Sequence, residues 1–320
     1  MTQTELTDGL AAVTGAAPYG ASVAGARVTQ SLSVAPGVLR VRPLPGEAAA
    51  SYLEHLAHAY RLTVPQLLDG IGITVHGHGV YPTAELSLSP TAACLAADAA
   101  RIRLDSLTRA LPGLPPNCTA SAGPATARWK PLERQQQAVA ACTMCVRHRR
   151  PSAPDTAWIH RPWHRLVCPR HQQAAPDPRL TTPLRTEIAP ELTAACYAHQ
   201  RLKRHPRAAS AWMTARAITT RWYDHQQHLA DRWQSRLNLL TAANPHLSPT
   251  SSASPALLAR DLVIYPETVA LARTLATLPR KRPPNPAHDA LTAIARRLGL
   301  DTLTPTAHDP LGAYLTHTRP

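Results

Sequence analysis

Two short pairs, Cys142-Thr-Met-Cys145 and Cys168-Pro-Arg-His171, are the residues in this chain best suited to chemistry. Two residues separate the members of each pair, which turns the backbone into a knuckle that aims both donors at one point. The long intervening loop then brings the second knuckle across to the first. Three thiolates and one imidazole complete a tetrahedral coordination sphere and leave no position for a substrate water. That describes a structural site and argues against metal-assisted hydrolysis. The expected cofactor is one structural Zn2+ held by Cys142, Cys145, Cys168 and His171. A lone C-x-x-C is shared with thioredoxin-type redox pairs; the second pair at ribbon-like distance favours metal. Cys94, Cys118 and Cys196 have no partner at ligand spacing and read as ordinary thiols. His148, His160 and His164 break the knuckle pattern and read as solvated or loop-packing histidines.

The loop between the knuckles is basic. It carries Arg147, Arg149, Arg150, Arg161 and Arg165, with Arg170 inside the second knuckle, against the single acid Asp155. Guanidinium groups fork onto phosphates, and a metal-fixed scaffold holds them in place, so these six are candidate DNA contacts. The other reading is that they are solvated arginines. Trp158 and Trp163 are interleaved with them and read as burying the far side of the ribbon. The chain carries a net charge of +14, and its distribution is uneven. Residues 1–100 hold 4 Lys/Arg against 7 Asp/Glu, residues 101–240 hold 22 against 8, and residues 241–320 hold 8 against 5. A regional excess of this kind suits a polyanionic partner, because each cation placed near a phosphate releases condensed counterions. An arginine bias in a GC-rich coding sequence would produce a similar excess.

Other function classes find little support. The chain has no G-x-x-x-x-G-K-[ST], no G-x-S-x-G and no H-E-x-x-H. Its acids number only 20, with no carboxylate triplet suited to a two-metal nuclease, so an enzyme is not expected. No apolar run approaches the roughly 18–20 residues of a membrane span, and the start lacks the basic n-region of a secretory signal. Six cysteines are too sparse for a disulfide scaffold. The expectation is a cytoplasmic, nucleoid-associated protein without a membrane segment.

The elements that must position these residues read as helices. With no Phe and 4% aromatics, the core is built from Ala, Leu, Val and a few Trp, and 32 Pro against 14 Gly favour short helices. Residues 1–39 read as a disordered arm. Glu47–Tyr60 carries Ala49, Leu53, Leu56 and Tyr60 at helical spacing, and Thr63-Val-Pro-Gln66 is a capping box opening a second helix that ends at Asp69-Gly70. Together they outline a helix-turn-helix in which Gln66 is the chief base-reading candidate. Ser89-Pro90 starts a further helix and Leu104–Leu111 another, before a Pro/Gly/Ser-rich linker over Pro112–Ala127. Beyond the cysteines, Pro190–His205 and Arg207–Leu240 are long helical patterns. Trp212, Ala215, Ile218, Trp222, Leu229, Trp233, Leu237 and Leu240 form a stripe in the second. Asn244–Pro255 reads as another linker, followed by helices near Pro266–Leu278 and Ala287–Leu298, with Gly299 as a C-cap. The fold class expected is mainly α: a helix-turn-helix-like region with its linker (40–127), a small zinc ribbon (128–185) and a C-terminal helical bundle (186–320). The ribbon supplies the only notable β content.

These residues resemble the TniQ family, zinc-containing accessory proteins of bacterial transposition. Arg42-Pro43-Leu44-Pro45-Gly46-Glu47 through Ser51-Tyr52-Leu53 is similar to that family's "P-x-x-G-E-S-x-x-S-W-L" start, with Tyr52 where Trp is usual. Cys142-x2-Cys145, Trp158, Arg161, Trp163 and Val167-Cys168-Pro169-Arg170-His171 resemble its knuckle, Trp-Arg and "C-P-x-H" signature. Tyr265-Pro266-Glu267 and Pro310-Leu311 are similar to the tails of shorter members. The further Cys pair that members often carry after "C-P-x-H" is missing. The resemblance implies a non-catalytic DNA-binding adaptor for target-site selection, bridging DNA or a target-bound complex to an AAA+ regulator of the transposase; homodimerisation stays open. A zinc-ribbon, helix-turn-helix transcription regulator uses the same parts and is the alternative.

Overall fold

The computed structural model describes residues 38–80, 82–114, 123–133, 136–149, 156–247, 253–278, 286–306 and 308–317. Most of the expected N-terminal arm, together with Cys118, Arg150 and Asp155, lies outside the described residues.

The protein is mainly α-helical. In the N-terminal part, α1 (Ala49–Ala59) and α2 (Val64–Gly70) are joined by a short turn. Thr63 caps α2 as the sequence suggests: its hydroxyl accepts from Gln66 N while Gln66 Oε1 accepts from Thr63 N. Helix α3 (Pro90–Ala99) starts from a Ser89 cap, and α4 (Leu104–Ala110) follows it.

These helices pack on a sheet that the sequence reading leaves out. Strand β1 (Thr74–His76) pairs parallel with β3 (Thr126–Pro131), and β2 (Ala84–Leu88) pairs antiparallel with β3 on its other side, so the order is β1-β3-β2. Its register matches Val75 to Ala127 and Leu86 to Trp129. Strand β3 begins inside the stretch read as a linker, and β content therefore extends beyond the ribbon. The strands are short and pair with residues far along the chain, so no single segment shows a long alternating pattern. Leu53, Leu56, Leu68, Leu86, Ala96 and Leu107 form the core of this part.

The ribbon contains β4 (Val139–Ala140), α5 (Thr143–Arg149), β5 (Trp158–Ile159), β6 (Gln173–Ala174) and β7 (Leu184–Arg185). Strand β4 pairs with β5, and β6 with β7, both antiparallel.

The C-terminal bundle comprises α6 (Pro190–Leu202), α7 (Ala208–Asp224), α8 (Ala230–Ala243), α9 (Pro255–Val263), α10 (Tyr265–Thr277), α11 (Pro286–Leu298) and α12 (Pro310–His317). The pattern read as one helix over 207–240 is two. Gln226 and His228 both adopt positive φ between α7 and α8, which reverses the chain while the Trp212–Leu240 stripe stays in one core. Helices α9 and α12 were not expected. Gly299 ends α11 at φ +67, and Leu300 N bonds back to Ala295 O, as a C-cap glycine allows. Among the described residues, no helix is long and apolar enough to cross a membrane.

Candidate metal centre

Cys142 lies just before α5, and its carbonyl accepts from Val146 N, so Cys145 falls in the first turn. The second knuckle is a tight hairpin in which Cys168 N donates to Gln173 O and Gln172 N donates to Cys168 O, with Gln172 at φ +50. Gln173 ties the knuckles together: its Oε1 accepts from both the backbone N and the Oγ1 of Thr143.

This brings the ligand atoms of Cys142, Cys145, Cys168 and His171 within 4.8 Å of one another. His171 Nδ1 stands 3.3, 3.2 and 3.8 Å from the sulfurs of Cys142, Cys145 and Cys168, and the Cys145 and Cys168 sulfurs are 3.8 Å apart. Around a tetrahedral ion with metal–sulfur and metal–nitrogen bonds of about 2.3 and 2.0 Å, neighbouring sulfurs sit about 3.8 Å apart and sulfur–nitrogen pairs about 3.5 Å. The donor set therefore fits a four-coordinate metal ion.

Electrostatics agree. Hydrogen bonding to Cys168 and burial push the Cys142 thiol up, while burial and the Cys168 charge push Cys145 up. Cys168 is held down at about 4, chiefly by the hydrogen bond from Cys142. Packed this closely, the sulfurs oppose one another's ionisation. A divalent cation would supply the positive charge that lets all three ionise.

A second polar cluster, absent from the sequence reading, fastens the N-terminal part to the ribbon. Glu47 is fully buried and accepts from Leu44 N at 2.7 Å, from the Ser51 hydroxyl, and pairs with His55 Nδ1 at 2.7 Å. His55 Nε2 reaches Thr156 O at 3.0 Å, and Ser51 Oγ accepts from Trp158 N. Gly46 N donates to Ala110 O, Gly46 O accepts from His160 N, and Ala48 N donates to Trp158 O. Across the interface His160 pairs with Glu85 of β2. The signal that could have found this cluster is the spacing of Ser51 and His55, four residues apart on one face of α1, with Glu47 four residues before Ser51 just ahead of the helix.

Residues 38–174 match the TniQ family model, a span that runs from this docking segment through the second knuckle. They are a TniQ domain. No curated protein and no solved structure gives a match to the chain. The Pro43-Leu-Pro-Gly-Glu47 segment thus has a structural role here: its glycine and glutamate dock the first helix against the loop between the two knuckles.

The structure distributes the candidate DNA contacts over several places. Arg147, Arg149, Arg165 and Arg170 are exposed, and Arg149 reaches Pro43 O. Arg165 neighbours His164, whose Nε2 lies 3.5 Å from Lys203 Nζ. Arg161 turns inward. It donates to Ala175 O at 2.7 Å, and burial lowers its pKa to about 10. Arg161 lines a cleft of about 1020 Å³ with Trp163, Trp212 and Arg216. Gln66 is exposed on α2, but its carbonyl is committed to capping Thr63. Trp163 does not bury the ribbon's far side; it packs against His199 and Trp212 of the bundle. Cys196 is buried and donates to Val167 O.

Proposed function

We propose that the chain is a non-catalytic, zinc-dependent DNA-binding adaptor in bacterial transposition. It takes part in target-site selection by linking DNA, or a target-bound complex, to transposition machinery such as an AAA+ regulator. The observation that carries this reading is a TniQ domain built around a closed Cys3His ligand set. Four protein donors saturate a tetrahedral Zn2+, so the ion acts as a staple and leaves no site for a reacting water. The basic excess over residues 101–240 supports a nucleic-acid partner, with Arg147, Arg149, Arg150, Arg165 and Arg170 as ribbon contacts and the α1–α2 pair as the helix-turn-helix. Arg161 serves this reading through the fold, where its Nη1 donates to Ala175 O.

The test is fluorescence anisotropy of a labelled duplex titrated with the full chain, in its metal-loaded form and after chelation. Binding that weakens steeply with salt and collapses on chelation is expected. Binding indifferent to both, or none at all, would refute it.

A further inference from the structure

The C-terminal bundle carries a cationic ridge that the ribbon arginines do not account for. From Leu192 to Tyr223 the chain contains no Asp or Glu, and from Thr268 to His288 it contains none either. Folding lays the described parts of these acid-free stretches, 192–223 and 268–278, side by side. His199 Nδ1 meets Tyr265 OH at 3.0 Å near the start of α10, and Arg207 donates to Ala276 O and Leu278 O at its end. The segment 199–207 therefore tracks α10 along its length. Arg201, Lys203 and Arg204 are exposed along that segment, and Arg273 is half-buried on α10. Helix α11 packs on the same core through Ile294 and Leu298, and it adds the exposed Arg297 in its last turn.

Groups at both ends of the ridge have cations as their charged neighbours. Burial and then the charges of Arg297 and Arg201 push the Arg273 guanidinium down from its ordinary value. At the ribbon end, burial followed by Lys203 and Arg165 pushes His164 down. No carboxylate pairs with Arg165, Arg201, Lys203, Arg273 or Arg297 among the described residues. Converging like charges on rigid helices without counter-charges costs stability, and the cost is recovered when a polyanion binds.

We propose that this ridge, from Lys203 and Arg201 to Arg273 and Arg297, is a second phosphate-binding surface that takes the backbone of duplex DNA and continues the ribbon surface at Arg165. The inference rests on the DNA-binding reading above and extends it from the ribbon to the bundle. A nucleic acid fits better than a lipid surface, because membrane-lying faces interleave cations with exposed apolar side chains. Between Arg201 and Arg207 the one large apolar residue, Leu202, is buried, and the exposed large hydrophobics that flank the ridge, Tyr197 and Trp163, are aromatic.

The experiment compares the full chain with an Arg201→Ala/Arg273→Ala/Arg297→Ala variant by anisotropy on a random-sequence duplex across a salt series. If all three touch phosphates, the log–log salt slope shrinks by roughly one unit per lost contact, and affinity at low salt falls by about tenfold or more. The variant Arg201→Lys/Arg273→Lys/Arg297→Lys keeps the charges and should retain most of the slope, which separates charge loss from misfolding. A wild-type slope in the Ala variant, with Arg147→Ala/Arg149→Ala still reducing it, overturns the ridge and leaves the DNA-binding reading standing. A wild-type chain that ignores duplex but binds phosphatidylglycerol vesicles overturns both.

Discussion

Gly46 and Glu47 show what single residues contribute. Glu47 is a buried carboxylate, and such a group is tolerated only when its lone pairs are filled; Leu44 N, Ser51 and His55 fill them. Gly46 sits at φ +79, where a side chain is strained, and a Cβ there would meet His160 O at 2.8 Å. Gly46→Ala should therefore destabilise the protein by about 1–3 kcal/mol in urea unfolding, through both conformation and clash. A cost below a few tenths of a kcal/mol would show that the docking segment yields without penalty. At the metal centre the expectation is about one zinc per chain by elemental analysis. Cys145→Ser should lose the metal, whereas zinc retained in full by a Cys142→Ser/Cys168→Ser variant would refute the ligand assignment. The metal donors were legible because each pair is local in sequence and its chemistry is fixed by residue type. The Glu47–His55 cluster was not, because its third partner, Thr156 O, lies 101 residues away.

At the scale of elements, the helices were legible wherever apolar spacing, a Ser or Thr cap and a proline agreed, as at α2 and α3. The break between α7 and α8 was hidden because the apolar stripe continues across it, and β1–β3 because their partners are distant in sequence. The packing of α6, α7 and α10 sets up a pH dependence. His199 is buried against Trp212, with ring centroids 4.0 Å apart, and bonds to Tyr265 OH. Burial, with the nearby His164, lowers its pKa from 6.5 to about 3. The folded state thus keeps His199 neutral, while the unfolded chain takes up a proton below pH 6.5. Stability from this group is fully present above pH 6.5 and falls as the pH drops towards 3, by up to about 1.4 kcal/mol per pH unit. Urea unfolding of the wild type and His199→Gln at several pH values checks this. The difference between the two should shrink on acidification, and parallel pH curves would exclude His199 as the source. Nearby, Arg236 and Glu267 form a buried pair that also receives Trp233 Nε1. Burial disfavours the Arg236 charge, but its bonds to Glu267 and Glu191 outweigh that and raise its pKa. Glu267→Ala should cost about 3–5 kcal/mol, since it strands a buried guanidinium. A loss under about 1 kcal/mol would mean that water or Glu191 replaces the lost partner.

For the molecule as a whole, the metal centre stands between two large cores and belongs wholly to neither. On one side, Ala48 N, Ser51 and His55 hold the loop at Thr156 and Trp158, and Leu44 packs with Ala141, Val146 and Ala157 beneath α5. On the other, Leu166, Val167, Ala174 and Leu184, which flank the second knuckle, are buried in the same cluster as Trp222, Trp233 and Leu271 of the bundle. The ribbon has little apolar mass of its own, so an ion held by the four donors would add much to its local stability. Structural zinc contributes on the order of 10 kcal/mol in small metal-folded domains. Removing it should release the ribbon before either core, because each core retains its own buried helices. Hydrogen exchange read by mass spectrometry tests this. After chelation, amides over 139–149 and 157–175 should lose protection first, followed by the docking bonds at Gly46 and Ala48, while α7, α8 and α10 stay slow. Exchange that rises together along the whole chain would show that the metal holds a single cooperative unit. Exchange unchanged in the ribbon would show that Gln173, Thr143 and the small apolar cluster hold the knuckles without any ion.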